Sequence, residues 1–403
     1  MKKTLCLILV LLMCVAVSTC GKADVKEDIP PVTDDTADTN DVQDNGEEEK
    51  DEEPEIDPKT IWNGTLEHPD TVGFFDPDYD YSANPRYKVC FFADGTSSFL
   101  EKYNEVFSHW CGKMNVQYDG IILSEYDESE NDLEIVANEY DGVILYCQWT
   151  HKAAAYAEIL NNSSCSWMTI GELRDCDDKS NPVLRPYLSY GDFGISQGVS
   201  YMKDYISENW TDADISEIGI FYLTYGGLNP IEQREEMFVN EIKAQMPEFS
   251  DNIVSLNMNL EYASFEDAYS KVIEENPQYK YWLCVPFTDF SSRNLSLALE
   301  NNGLAEKAAV YCIYDAYEIW HINGYELYKA VTTVPLVMEL EPIVGALYAF
   351  MNGDTTPETI WGGDENGYGA CDFNGVYLVT KENYKDFLGK VNEYAGGEFY
   401  VID

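Results

Sequence analysis

The sequence predicts an α/β fold built as two doubly wound parallel-sheet lobes, and three observations carry that expectation. From Tyr87 onward, short apolar runs alternate with amphipathic stretches. Strands separated by helices imply right-handed crossovers and parallel sheets covered on both faces. The alternation closes near residue 190 and restarts at 218, so one series follows another. Nearly 350 residues follow position 57, enough to bury a substantial core in two lobes.

In the first series, residues 88–92 read as a strand and 97–110 as the helix after it. Strands at 119–123 and 141–146 follow, and 166–170 and 187–190 close the set. The second series places strands at 218–223, 253–256, 279–285 and 308–313. Its helices fall near 232–245, 265–275 and 291–302. Beyond these, 335–341 reads as extended, 342–351 as a helix, and 376–379 and 399–402 as strands. The stretch 59–86, with Phe74-Phe75-Asp76-Pro77-Asp78-Tyr79, is an aromatic, aspartate-rich strap that fits neither series.

The N-terminus carries Lys2-Lys3, an apolar run from Leu5 to Val17, then Ser18-Thr19-Cys20-Gly21. A basic head, an apolar stretch too short to span a bilayer and small residues before a cysteine form an export signal. Residues 1–20 are therefore expected to be removed or lipidated, with Cys20 as the anchored residue. Segment 21–57 holds sixteen acidic residues against three basic ones and almost no large apolar side chains. Such a chain cannot offset its ordering entropy by burial, so 21–58 is expected to be a disordered tether. Relaxed, it would span about 35 Å.

The formal charge is −48, and the part beyond residue 57 carries −37 of it. Nucleic acid and anionic membrane surfaces are poor partners for such a surface. Of eleven cysteines, Cys6, Cys14 and Cys20 belong to the signal. Cys90, Cys147, Cys284 and Cys312 lie in or beside apolar runs, where cysteine acts as a small hydrophobe. A Cys165–Cys176 bridge is open to an exported protein but not demanded by the spacing. No CxxC occurs and the four histidines are scattered, so neither a metal site nor a cofactor is expected. Gly194-Ile195-Ser196-Gln197-Gly198 matches GxSxG, yet the glycines before it interrupt the strand a nucleophile elbow requires. Asp315 and His321 are not placed as an acid and base, and an enzyme is not expected.

The order of motifs resembles the type I periplasmic-binding-protein fold, in particular its ribose- and galactose-binding branch. The pieces are Asp141-Gly142-Val143-Ile144-Leu145, Asp192 with Gly198, Arg234-Glu235-Glu236-Met237-Phe238, and Asp289 before a helix ending in Asn302-Gly303. Tyr314-Asp315 and the stretch from Ala346-Leu347 to Asn352-Gly353 complete the set. The resemblance covers about 87–403. It implies two lobes joined by a hinge of three crossings, with ligand held between them and released to an ABC permease. The expected partition is 87–191 plus 340–370 for the first lobe and 192–339 plus 371–403 for the second. Repressors sharing this fold carry a helix-turn-helix where this chain has its signal and tether.

The same resemblance implies the binding residues. Arg234 matches an arginine that donates to sugar hydroxyls, and its five fixed donors suit a polyol or carboxylate. Asp289 and Asp315 match acids of the second lobe that accept paired hydroxyl protons. Each also suits a helix N-cap. Glu339 stands where the ribose-binding branch has glutamine, exchanging an amide for a charge. In the first lobe, Asp94-Gly95-Thr96-Ser97-Ser98-Phe99 replaces the family's Asn, Pro and Phe cluster, leaving Asp94 for a polar contact and Phe99 for a ring face. Trp149 and Trp320 follow a strand and Asp315 respectively and are placed to stack on a sugar. The expected protein is a monomeric, lipid-anchored extracytoplasmic receptor for a sugar, with an ABC permease as partner. A sensor signalling to a membrane receptor and a receptor for a cationic amine or amino sugar are the alternatives.

Overall fold

Strand β1 (Lys88–Ala93) is buried at every position after the first, which explains its unbroken apolar run. Val89, Phe91 and Ala93 enter one core layer while Cys90 and Phe92 enter the other, as the two-residue period of a strand requires. The computed structural model describes residues 64–95, 98–123, 129–147, 150–170, 187–189, 193–224, 229–257, 265–287, 289–314, 324–363, 369–372 and 376–402.

Parallel partners of β1 are β2 (Gln117–Ile122) and β3 (Gly142–Tyr146), and β4 (Ser166–Thr169) pairs with β3. The first sheet thus has the order β2-β1-β3-β4. The intervening helices are α1 (Ser98–Lys113), α2 (Ser129–Glu139) and α3 (Ala153–Asn162). A short parallel ladder joins β5 (Tyr187–Ser189) to β11 (Ala370–Asp372). Helix α4 (Ile195–Asn209) then opens the second lobe. Its strands are β6 (Ile218–Thr224), β7 (Ile253–Asn257), β8 (Tyr281–Val285), β9 (Ala308–Ile313), β10 (Tyr328–Thr333) and β12 (Tyr377–Thr380). Their order is β12-β10-β9-β8-β6-β7, all parallel except β12 against β10. Helices α5 (Asn229–Gln245), α6 (Phe265–Glu275) and α7 (Asp289–Asn301) connect them.

The chain passes between the sheets after β5, after β10 and after β11. The second passage runs through α8 (Leu336–Glu339) into α9 (Glu341–Asn352), which lies on the first sheet, with Leu347 and Met351 against Gly142. Helix α10 (Tyr384–Ala395) follows β12. One apolar core therefore runs from Phe91 and Trp110 through Leu340, Ile343 and Val391 to Phe221 and Val310. A second core, with Ile220, Phe238 and Tyr311, fills the other face of the second sheet.

The segment 64–86 packs on α1, α9 and α10 around a buried carboxylate. Glu341, fully buried at the start of α9, accepts from the Phe75 amide at 2.8 Å and lies 2.9 Å from His68 Nδ1. The Tyr394 hydroxyl donates to its second oxygen. The His68 ring stacks on Tyr394 at 3.9 Å, and Phe75 packs on Trp110. Burial, reinforced by Glu341, pushes the Tyr394 phenol well above its ordinary range. Three polar partners surround this buried carboxyl group, as its burial requires.

Three sequence expectations need correction. Residues 335–341 are not extended: Pro335 caps α8, where its fixed φ of −59° suits a helix entrance. Residues 399–402 form no strand. There Asn392 Oδ1 accepts the Phe399 and Tyr400 amides, so a side chain does the work of a ladder. And β10 and α10 were not anticipated at all. Cys90, Cys284 and Cys312 are buried in the strands, and burial pushes the Cys90 thiol up to about 12. Cys176, the proposed partner of Cys165, lies outside the described residues, as do Cys20 and residues 1–63. Among the described residues no helix is long and apolar enough to cross a membrane.

Candidate functional site

In open parallel sheets, ligands sit beyond the carboxyl ends of the strands. The carboxyl ends of β6, β8 and β9 bring three chain segments to Arg234. This residue lies in the first half of α5, and only 8 % of it is exposed. Its Nη1 donates to the Phe287 carbonyl, just past β8, at 2.9 Å. The guanidinium carbon lies 4.3 Å from the Tyr314 ring, just past β9, and 4.7 Å from the Phe193 ring, just before α4. The two rings meet edge to face at 5.9 Å. The two rings thus lie on adjacent sides of the guanidinium and, with the Phe287 carbonyl, restrict how it can turn.

Both rings are delivered by backbone in the left-handed region, φ 57° at Phe193 and 67° at Tyr314. Bulky residues pay a steric cost there, and such positions cluster at ligand clamps. Tyr314 is held by its amide, which donates to the Thr332 carbonyl at 2.8 Å. Next to Arg234, Glu235 accepts from Tyr222 and Thr224, each at 2.7 Å, and so ties α5 to the end of β6. Burial, with Glu235 adding, pushes the Tyr222 phenol up to about 12.

The first lobe presents a different arrangement at the end of β1. Asp94 is 1 % exposed and accepts from the Tyr156 hydroxyl at 3.0 Å. Tyr156 Oη also lies 2.7 Å from Ser129 Oγ, at the start of α2, and Lys152 Nζ donates to that same Oγ at 2.8 Å. Phe99 packs edge to face on Tyr103 and Tyr146, each at 5.6 Å. The Asp94 amide faces the Tyr146 carbonyl at 3.4 Å, so Tyr146 links Asp94 to Phe99. Burial and then Asp94 push the Tyr146 phenol up to about 12.

Of the residues singled out in the sequence, Arg234, Asp94, Phe99 and Glu339 are described in full. Glu339 is 3 % exposed and ends α8, on the passage between sheets. Asp289 is the first residue of α7, so its backbone lies two positions past the Phe287 carbonyl that Arg234 bonds. Asp315 lies outside the described residues, but it directly follows Tyr314, which covers Arg234. Trp149 and Trp320 also lie outside them. Phe193, Tyr156, Ser129 and Lys152 were missed because no local spacing pairs them with Arg234 or Asp94. The adjacency of Phe193 to Asp192 and of Tyr314 to Asp315 was the signal available. Ser196, the serine of GxSxG, lies inside α4 and donates to Glu241 at 3.0 Å. Among the described residues no cluster of His, Cys, Asp or Glu is placed to hold a metal.

No protein-family model matches the chain, and no curated protein matches it in sequence. Solved structures do match in shape. A periplasmic solute-binding protein of an ABC transporter from Actinobacillus succinogenes, with bound D-allose, aligns at a TM-score of 0.57 and 13 % identity, covering 75 % of this chain and 100 % of that one. The fold is that of the type I periplasmic binding proteins. A solute-binding protein from Burkholderia graminis in complex with D-arabinose gives 0.54 and 12 %, covering 74 % of this chain and 96 % of that one. A LacI-type transcriptional regulator from Bacteroides fragilis gives 0.53 and 12 %, covering 74 % and 99 %. At such identities the likeness concerns architecture, and binding proteins and regulators share it.

Proposed function

We propose that this chain is an extracytoplasmic solute-binding lipoprotein that captures a sugar or related polyol between its lobes and delivers it to an ABC importer. The observation that carries this reading is Arg234, packed against Phe193 and Tyr314 where three strand ends converge. A planar donor set held by rings suits an array of hydroxyls, and the rings add apolar surface for a sugar face. The fold supports the same reading, since neighbours of this shape hold D-allose and D-arabinose.

In this account no bond is made or broken. Ligand bound to one lobe recruits the other, the hinge closes, and the closed form is what a permease recognises. In this reading Asp289, Asp315 and Glu339 supply acceptors from the second lobe, Asp94 supplies one from the first, and Phe99, Trp149 and Trp320 supply ring faces. Cys20 carries the lipid, and residues 21–58 hold the domain away from the outer face of the cytoplasmic membrane.

An amine or amino-sugar ligand is the second reading, favoured by the buried carboxylates Asp94 and Glu339. Thermal melting against pentoses, hexoses, disaccharides, amino sugars and polyamines separates the two. Ligand at a hundred times its Kd adds about 2.7 kcal/mol, a shift of several degrees. A sugar that shifts wild type but not Arg234→Ala supports the first reading. A shift with amines alone moves the assignment to the second, and silence across the panel removes both.

A further inference from the structure

The polar chain of the first lobe has a direction. A lysine ammonium only donates, so Lys152 gives a proton to Ser129 Oγ at 2.8 Å. The Tyr156 phenol has one proton and two oxygen neighbours, Asp94 Oδ2 at 3.0 Å and Ser129 Oγ at 2.7 Å. An ionised carboxylate only accepts, so the phenol proton goes to Asp94 and the serine proton goes back to the phenol oxygen. The chain then runs one way, from ammonium through two hydroxyls to carboxylate.

Its residues come from three elements that meet at the carboxyl ends of the strands. Asp94 follows β1, Ser129 opens α2, and Lys152 precedes α3, which carries Tyr156. Lys152 and Ser129 are buried, as is Asp94. A buried carboxylate needs a compensating charge and fixed donors. Tyr156 provides the donor, and Lys152, which also lies 3.7 Å from Glu130 Oε1, provides a positive charge at one remove. Burial also pushes the Tyr156 phenol far up, which keeps its proton available for Asp94.

We propose that Lys152, Ser129 and Tyr156 are positioning residues that hold the Asp94 carboxylate ionised and fixed in direction as the first lobe's acceptor for a ligand hydroxyl or ammonium proton. This rests on the solute-binding reading and narrows it. An acceptor of this kind selects ligands presenting donors, where the amide of the related family's asparagine takes either partner.

The test uses the full chain and its Tyr156→Phe, Ser129→Ala, Ser129→Thr, Asp94→Asn and Tyr156→Phe/Asp94→Asn variants. Calorimetric titration is run with D-allose, D-arabinose, D-glucosamine and putrescine as probes. Tyr156→Phe and Asp94→Asn are each expected to weaken the best probe at least tenfold, and the double variant no further, since both break one unit. Ser129→Ala weakens it too, and Ser129→Thr, which keeps the hydroxyl, restores it. An unchanged affinity in Tyr156→Phe, with only a lower melting temperature, overturns the proposal and leaves a packing role.

If wild type binds none of the probes, the solute-binding reading fails, and the positioning chain is judged by carbon-13 titration of the Asp94 carboxyl. Among the described residues Tyr156 and Tyr146 face it, Cys147 lies near both phenols, and Lys152 and Glu130 lie beyond Ser129. Loss of the phenol donor in Tyr156→Phe raises the Asp94 midpoint; a midpoint that does not move sinks the chain as well.

Discussion

The two lobes place opposite charges at equivalent strand ends and hold them by different physics. In the second lobe a guanidinium is held by two rings and a backbone carbonyl. In the first, a carboxylate is fixed by hydroxyls that lead to a lysine. Ring stacking tolerates small displacements and depends on shape, whereas a hydrogen-bond chain fails when one oxygen is removed. The first lobe is thus the one in which single-atom changes are felt. Its strap repeats the pattern, since Glu341 is also a buried carboxylate held by side-chain and backbone donors.

The broadest test of this contrast is alkaline pH, because hydroxyl donors must keep their protons. Burial pushes Tyr81 and Tyr146 in the first lobe and Tyr222 and Tyr377 in the second up to about 12, from 10.0. Each raised phenol stabilises the fold fully below the unfolded value near 10. That contribution is lost as pH rises from there through the folded value, at about 1.4 kcal/mol per pH unit for each group. Melting curves between pH 8 and 11.5 are expected to fall steeply above 10, with tyrosinate absorbance released only on unfolding. Free titration of these phenols in the folded protein would contradict their burial.

Glu341→Ala is expected to cost about 3–5 kcal/mol, since it strands three buried donors around one lost carboxylate. Glu341→Gln, which keeps one acceptor, should cost less, and urea denaturation reads both. Next comes Arg234→Ala, which leaves two rings in left-handed backbone without the ion packed against them. A loss of about 1–2 kcal/mol in stability is expected. Arg234→Lys should not recover it, because an ammonium has no planar face to pack on a ring and no fixed fork of donors for the Phe287 carbonyl.

The smallest effect belongs to His109, whose Nε2 lies 2.8 Å from the Ala395 carbonyl at the end of α10. Burial lowers its pKa below the ordinary 6.5 despite that bond. Its stabilising contribution is complete above the unfolded value and lost as pH falls from 6.5 through the folded one. His109→Gln is expected to flatten the stability curve between pH 7 and 5 by less than about 1 kcal/mol.

The alternation of strands and helices was legible because strands such as β6 and β9 are buried at every position and read as continuous apolar runs. Strand β10 was not, since Lys329 and the two threonines dilute its run although the chain buries both threonines. Helix α10 hid its face behind Gly389 and four charged residues. Yet Tyr384, Phe387, Leu388, Val391 and Tyr394 repeat at helical spacing and are buried. The Arg234 motif stood out through resemblance alone. Its ring partners are forty and eighty positions away, and only the sheet topology brings them together. The Asp94 chain was equally hidden, because Asp94, Ser129 and the Lys152–Tyr156 pair come from three elements with no shared spacing.

The most direct test is small-angle scattering of the mature chain with and without the sugar that raises its melting temperature most. The account predicts a smaller radius of gyration with sugar in wild type and no change in Arg234→Ala, because closure needs both lobes to grip the ligand. Saturable binding with no change in radius, or no sugar that binds at all, would contradict it.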